Sequence, residues 1–447
     1  MNPARMGTGA LPITRLELKL ADAKPVYSFG DAVAEANRCL YCQDAPCIAA
    51  CPTGIDIPTF IRKIGTGNVH GSARAILSAN VLGYSCARVC PVEVLCVGAC
   101  VYNAWHRTPI AIGRLQRYAT ETVLAGAGSV GLLARAPENG KRVACVGAGP
   151  ASLACAAYLA LEGCDVTLYE KREVPGGLNV TGVAPYKMHA EEGLAEVAFV
   201  RSLGVTIRTG AEVGVDPTAD ALLSKFDAVF LGPGLGGDSA LGIPGEAGAG
   251  VSGAVAWIEN MKLDGGAALD GISRAVVIGG GNTAIDAARE LARLGVPSVR
   301  MLYRRTAADM SGYAHEMEAA RLDGVTLVER AVPKAFAREA SGRLTAVELA
   351  DGRVEACDLA LLAIGQAKLT ALALAFTGVQ VEAGGRIVAD AVTGATGNPK
   401  VFAGGDALRG GELVVTAVQD GKRAARGIAA ALKVPVRPDA PMNAGHR

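Results

Sequence analysis

Aromatic side chains are scarce in this chain: they make up 4% of its 447 residues and include two Trp. Surfaces that bind single-stranded nucleic acid stack bases on such rings, so this composition does not suit them. An excess of one charge is missing too, since 44 Lys and Arg face 43 Asp and Glu for a formal net charge of +1. No global field would draw the chain to nucleic acid or anionic lipid, and any charge recognition must be local. No stretch reaches the roughly 18 uninterrupted apolar residues of a membrane span. Met1 to Lys24 is mixed polar, without the apolar core of a signal peptide. The expectation is a cytoplasmic protein with neither nucleic acid nor membrane as partner.

Glycine is plentiful, at 57 residues, and half the residues are hydrophobic. That mixture suits α/β domains made of Val/Ile/Ala strands, Ala-rich helices and glycine turns. The length corresponds to about three domains of roughly 150 residues each and excludes a small disulfide-stapled module. Of twelve Cys, eight fall between Cys39 and Cys100. In a reducing compartment such crowding points to metal rather than to disulfides. Cys145, Cys155, Cys164 and Cys357 stand in apolar contexts and read as small core residues.

Composition divides the chain. Residues 1–128 hold the Cys-rich part, where Phe29 to Leu40, Ile57 to Ile64 and Ile112 to Leu124 carry apolar residues at helical spacing and no alternating strand occurs. Residues 129–140, ending in the turn-prone Pro137-Glu138-Asn139-Gly140, read as a linker. From Arg142 the grammar becomes strand, glycine turn, helix, strand: Val143 to Val146, Gly147 to Gly149, a helix to Glu162, then Val166 to Glu170. It recurs at Ala275 to Ile278, Gly279 to Gly281, a helix to Leu294, and Val299 to Tyr303. Two such units form a duplicated architecture. The expected plan is a nucleotide domain over 141–238, a second one inserted at 239–365, completion of the first over 366–435, and a tail at 436–447.

The first turn, Gly147-Ala148-Gly149-Pro150-Ala151-Ser152, follows a buried strand and has Glu170 at the end of the next. A tight turn, a bare backbone at a helix start and a carboxylate for a ribose diol are what a dinucleotide needs. Ser152 stands where a third Gly would allow the closest helix–strand packing, so a looser approach is expected. In the second turn, Gly279-Gly280-Gly281-Asn282-Thr283-Ala284, the next strand ends in Tyr303-Arg304-Arg305 with no acid. Two guanidinium groups there match a 2′-phosphate, which favours NADPH over NADH. The alternative is that Arg304 and Arg305 lie on a solvated face.

The thiols run Cys39-x2-Cys42-x4-Cys47-x3-Cys51-Pro52, then Cys86-x3-Cys90-Pro91, Cys96 and Cys100. Such separations can surround compact clusters, and a Cys before Pro can cross to a second cluster. Four-thiolate zinc is the competing reading. Two groups with Cys-Pro endings, upstream of nucleotide domains that supply electrons, favour iron–sulfur.

In this order, the Cys domain, the Gly147 turn, Pro175-Gly176-Gly177-Leu178, the Gly279 turn and Ala403-Gly404-Gly405-Asp406 resemble a known family. It is the electron-input module shared by dihydropyrimidine dehydrogenase, its separate bacterial subunit and the glutamate synthase small subunit. The resemblance spans about residues 28–435. It implies an all-α iron–sulfur domain followed by two Rossmann-like domains, for FAD and NAD(P), the second inserted in the first. It also implies two 4Fe–4S clusters, one on Cys39, Cys42, Cys47 and Cys100 and the other on Cys51, Cys90, Cys96 and Gln116, with Cys86 left free. By its helix alone, Gln116 reads as a surface residue.

For FAD the resemblance implies Gly147, Gly149, Pro150 and Ala151 at the pyrophosphate and Glu170 at the ribose. Gly177 and Leu178 lie beside the cofactor, and Gly405-Asp406 near the ribityl phosphate. Lys187 stands where many relatives have Arg; a cationic contact and a solvated lysine are both open. Gly279, Gly281, Asn282, Thr283, Arg304 and Arg305 are the expected coenzyme residues, and Gly365 and Gln366 mark the return crossover.

The function implied is an NAD(P)H-oxidising enzyme subunit that passes electrons through FAD and the clusters, with no catalytic side chain of its own. An FMN-containing large subunit of dihydropyrimidine dehydrogenase, in a hetero-oligomer, is the expected partner, reducing uracil and thymine. A glutamate synthase small subunit, or a paralogue serving another acceptor, is the alternative. A non-catalytic redox sensor and a disulfide reductase are further classes; Cys155 and Cys164 do not supply a redox pair for the latter.

Overall fold

The computed structural model describes residues 11–124, 131–264 and 269–436. Part of the expected linker, residues 129 and 130, and nearly all of the expected tail, residues 437–447, lie outside the described residues.

The cysteine-rich stretch forms seven helices: α1 (Phe29–Ala36), α2 (Pro46–Ala49), α3 (Ile57–Gly65), α4 (Val69–Ala79), α5 (Gly83–Val89), α6 (Val101–Ala104) and α7 (Ile112–Leu124). Three of them start on side chains that accept an otherwise orphaned amide: Ser28 from Asp31, Asp56 from Thr59 and Asn68 from Gly71. Helix α3 buries Ile57, Phe60, Ile61 and Ile64, one face at three- and four-residue spacing. Each such side chain contributes about 1.5–3 kcal/mol of transfer free energy. Residues 24–124 contain no strand among the described residues.

The first nucleotide sheet follows, with β1 (Arg142–Val146), α8 (Pro150–Leu161), β2 (Asp165–Tyr169), α9 (Leu178–Thr181), α10 (Ala190–Ser202), β3 (Thr206–Arg208), α11 (Ala219–Lys225) and β4 (Ala228–Leu231). The second comprises β5 (Val251–Gly253), α12 (Ala254–Leu263), β6 (Arg274–Ile278), α13 (Asn282–Arg293), β7 (Ser298–Leu302), α14 (Ala314–Leu322) and β8 (Thr326–Val328), with β12 (Leu359–Leu362). Between β8 and β12 lie β9 (Pro333–Arg338), β10 (Leu344–Leu349) and β11 (Val354–Ala356), an antiparallel three-stranded sheet. The chain ends with α15 (Thr370–Leu374), β13 (Val401–Ala403), α16 (Asp406–Arg409) and α17 (Val414–Ala431).

The first sheet has the order β13-β4-β1-β2-β3 and the second β5-β12-β6-β7-β8, all pairs parallel. Strands covered on both faces are continuous apolar runs, as in Val143 to Val146 and Ala275 to Ile278. Late β13 beside β4 shows that the last part of the chain completes the first sheet.

Contacts group the chain into two units. One gathers 24–180, 191–235 and the residues from 368 on, so the cysteine helices and the first sheet share a unit. The other gathers 236–367 with 181–190 and the N-terminal residues up to 23. Long-range bonds explain both additions within that second unit. Lys262 Nζ donates to the carbonyls of Val183 and Met188, each at 2.8 Å, and the Ala190 N–H donates to Glu17 Oε2 at 3.2 Å. The two connecting stretches of this unit pair with each other, Gly236 N–H to Ala367 O at 2.8 Å and Ser239 N–H to Gly365 O at 2.9 Å. Gln366 bridges antiparallel to Asp238.

Candidate functional site

At the first turn, Gly147 has φ +85°, and a Cβ there would meet Gly232 O at 2.7 Å. Gly149 caps α8, with Pro150 opening the helix. Two further glycine stretches close on the same helix start. A Cβ on Gly177 (φ +57°) would meet Gly149 Cα at 2.7 Å, and one on Gly405 (φ +72°) would meet Ala151 Cβ at 2.9 Å. Side chains are thereby kept away from the amides that begin α8, where the helix dipole favours an anion.

Glu170, buried at 7% exposure, accepts from the Ala148 N–H at 2.8 Å and the Arg172 N–H at 2.9 Å. Those bonds hold its carboxylate at the glycine turn. Asp406 accepts from the Glu412 N–H at 3.0 Å, and burial pushes its carboxyl above the usual range. Ser152, in place of the third Gly, is fully buried and its hydroxyl faces Val146 O at 3.1 Å and Gly232 O at 3.3 Å. The hydroxyl thus ties α8 to both neighbouring strand ends.

The second turn repeats the scheme in the other unit. A Cβ on Gly279 would meet Ala363 O at 2.4 Å, and one on Gly280 would meet the Tyr303 ring at 2.4 Å. Gly281 caps α13 and Asn282 Oδ1 accepts from the Tyr313 N–H at 3.0 Å. Thr283 follows in the first turn of α13. Arg304 and Arg305 are both exposed beyond β7, the second with its guanidinium 5.6 Å from the Tyr303 ring centroid.

Lys187 has protein partners. Its ammonium lies 2.8 Å from Asp286 Oδ1 and 2.9 Å from Glu316 Oε1. Arg289 joins Glu316 at 2.6 Å and Asp323 at 2.8 Å, and the Tyr186 hydroxyl donates to Asp286 at 2.6 Å. The sequence reading missed this network. Its trace there is the run of charges along α13, where Arg289 and Glu290 are buried and Asp286 is half-buried.

Among the cysteines, Cys39, Cys42, Cys47 and Cys100 line one cavity with Ile57, Ile61, Ile110 and Ile112. Burial pushes the Cys47 thiol up to about 12, and Cys39 and Cys100 add repulsion. Cys39 is raised by burial first, then by Cys42 and Cys100. The remaining thiols influence one another, with Cys47 of the first group also acting on Cys96. Cys96 is pushed up to about 12 by burial and then by Cys51, while Cys90 is raised by a hydrogen bond with Cys86, by burial, and by Cys51 and Cys96. Cys51 therefore keeps company with Cys90 and Cys96. Among the described residues no three His, Cys, Asp or Glu side chains are gathered tightly enough to hold a single metal ion between them. The thiol-lined cavity is the feature that fits a multi-atom cluster, whose soft irons take thiolate ligands.

Gln116 is not on the surface. It is 7% exposed and its Nε2 donates to Gly83 O at 2.6 Å, at the start of α5. Cys86 is buried and accepts from Asn80 Nδ2 at 3.2 Å. Cys145, Cys155, Cys164 and Cys357 are fully buried in the sheet cores.

A pair of sheet-and-helix dinucleotide folds that follows a helical cysteine domain in the chain defines a flavin- and nicotinamide-type oxidoreductase. The pattern described as pyridine nucleotide-disulphide oxidoreductase matches residues 141–421, and that of dihydropyrimidine dehydrogenase domain II, 4Fe-4S cluster, matches residues 17–127. The chain is 32% identical to the glutamate synthase (NADPH) small chain of Escherichia coli over 93% of its own length and 95% of that protein's. It is 35% identical to the E. coli NAD-dependent dihydropyrimidine dehydrogenase subunit PreT, over 92% and 96%. The chain belongs to this family of pyridine nucleotide oxidoreductases with a 4Fe–4S domain, which includes small subunits of multi-subunit enzymes. The crystal structure of T. acidophilum thioredoxin reductase shares the two-Rossmann fold with a TM-score of 0.53 at 24% identity, over 65% of this chain and 98% of that one. Among the described residues no helix is long and apolar enough to cross a membrane.

Proposed function

We propose that this chain is the electron-input subunit of a dihydropyrimidine dehydrogenase, oxidising NADPH or NADH and supplying an FMN-containing large subunit that reduces uracil or thymine. One observation carries the reading: within one compact unit, a glycine cradle suited to a flavin dinucleotide accompanies a cavity walled by Cys39, Cys42, Cys47 and Cys100. When bound, the flavin takes up a hydride from nicotinamide, and iron–sulfur centres carry electrons singly.

The chain's own part is holding and orienting. Gly147, Gly149, Pro150 and Ala151 receive the FAD pyrophosphate, Glu170 takes the ribose hydroxyls, Gly177 and Leu178 flank the cofactor, and Gly405 and Asp406 meet its ribityl end. In the other unit, Gly279, Gly281, Asn282 and Thr283 receive the coenzyme pyrophosphate, and Arg304 and Arg305 a 2′-phosphate. Cys39, Cys42, Cys47 and Cys100 hold one 4Fe–4S cluster; Cys51, Cys90, Cys96 and Gln116 hold the second. Lys187, committed to Asp286 and Glu316, is left out of the flavin site.

The second reading, a glutamate synthase small chain, is favoured by the near full-length match to that protein. Anaerobic purification of the native complex, with flavin, iron, sulfide and partner analysis, separates the two. An FMN protein as partner supports the first reading, and an amidotransferase-bearing partner the second. In the isolated chain, Gln116→Ala is expected to alter the electron paramagnetic signal of one cluster alone. An unchanged spectrum removes Gln116 from the ligand set.

A further inference from the structure

Lys422 stands on α17, the closing helix of the flavin-type fold, and is 5% exposed. Its ammonium reaches out of that fold to two carbonyls of the cysteine region, Ala79 O at 3.2 Å and Thr53 O at 3.5 Å. Both contacts fall on segments leading to the same group of thiols. Thr53 ends the Cys51-Pro52 turn, and its Oγ1 lies 3.4 Å from Cys51 Sγ. Ala79 is the last residue of α4, where the helix dipole welcomes a cation. The next residue, Asn80, donates to Cys86 Sγ at 3.2 Å, and Cys86 lies at the start of the Cys86-x3-Cys90 segment. Lys422 also lies 5.5 Å from the centroid of the Tyr158 ring, a further favourable surrounding for a cation.

We infer that Lys422 is a positioning residue of the flavin-type fold whose positive charge holds the Cys51 and Cys86–Cys90 segments and raises the reduction potential of the centre they carry. Reduction adds one negative charge to a thiolate-bound cluster. A buried cation close by stabilises the reduced form more than the oxidised one, because little water intervenes to screen it. The contacts to Thr53 and Ala79 lead to Cys51 and Cys86, so the effect is expected chiefly at the centre on that side. It makes that centre the readier acceptor of electrons.

The inference rests on the proposal that Cys51, Cys90 and Cys96 hold a centre. Iron and acid-labile sulfide in the unaltered full chain test that premise separately: if both are absent after anaerobic reconstitution, the premise fails and not the role of Lys422. Given loaded protein, Lys422→Gln keeps a hydrogen-bond donor without the charge, and Lys422→Arg keeps the charge. Potentiometric titration followed by electron paramagnetic resonance is expected to show one centre harder to reduce in Lys422→Gln by at least tenfold, a fall of about 59 mV for one electron. Lys422→Arg should retain the original value, and the other centre should move less in both. Loss of half the iron in Lys422→Gln with full retention in Lys422→Arg also supports the charge as the holding element. Full iron with unchanged potentials in Lys422→Gln overturns the inference, as does equal damage by both substitutions.

Discussion

Glu196 shows how one residue can join two parts of the first unit. It lies on α10, 1% exposed, and accepts from the Tyr84 and Ser85 N–H groups at 2.9 Å each and from the Ser85 hydroxyl. Those amides open α5, the helix that carries Cys86 and leads to Cys90. Burial raises its carboxyl from the usual 4.5 to about 7, against the hydrogen bonds and Arg88, which favour the anion. Arg88 itself is shared with Glu121 at 3.0 Å and Glu192 at 3.2 Å. Because the folded value lies above the unfolded one, the folded protein binds the extra proton between pH 4.5 and about 7. The stabilisation is complete below pH 4.5 and is lost as pH rises through 7, a change on the order of 3 kcal/mol. Melting temperature measured across that window should fall less steeply in Glu196→Gln than in the unaltered chain; an identical slope would clear Glu196 of the effect. Arg304 and Arg305 present a second expectation at this scale. Hydrogen bonds to a charged group contribute about 1.5–3 kcal/mol, so replacing both by Ala should raise KM for NADPH by tenfold or more and leave that for NADH within about twofold. Equal changes would refute a 2′-phosphate contact.

At the scale of elements, the close approach of α17 to α8 depends on Gly421. A Cβ there would meet Ala151 O at 2.1 Å and Cys155 N at 2.9 Å, both backbone atoms that cannot swing aside. Gly421→Ala must push the helices apart. The expected cost is about 1–3 kcal/mol, read as a lower melting temperature, with loss of flavin because Ala151 belongs to the proposed cradle. Gly30→Ala in α1, where the nearest atom is 4.0 Å away, should lower neither. The α/β elements were legible because their faces are simple. Ile57, Phe60, Ile61 and Ile64 mark one buried stripe, and β1, β2, β6 and β7 are short apolar runs beside glycine turns. The β9–β11 sheet was not, since β9 is half-exposed along most of its length and β11 has one buried residue of three. Nor could spacing reveal that residues 11–23 and 181–190 pack with 236–367, which depends on Lys262 and Glu17 finding partners far along the chain. Of the site, the glycine turns and the grouped thiols were visible as motifs. The burial of Gln116 and the carboxylate partners of Lys187 were not, because both arise from tertiary neighbours rather than from local pattern.

Over the whole molecule, the chemistry is divided among sites built from separate residues. The glycine cradle at α8 is held by Gly147, Gly177, Gly405 and Glu170, and the first thiol cavity by Cys39, Cys42, Cys47 and Cys100 with the isoleucines around them. No cradle residue lines that cavity. Removing one thiol should therefore disable a cluster without emptying the flavin site. In Cys39→Ser the hydroxyl is a poor ligand for soft iron, so iron content is expected to fall by about half of the total for the two proposed clusters. FAD content and the rate of ferricyanide reduction by NAD(P)H, which draws electrons at the flavin, should stay within about twofold. Transfer to a copurified partner subunit should drop at least tenfold, since one step of the relay is gone. Joint loss of flavin and iron would show instead that the cavity and the cradle fold as a single cooperative site, and the division of labour proposed for this chain would have to be abandoned.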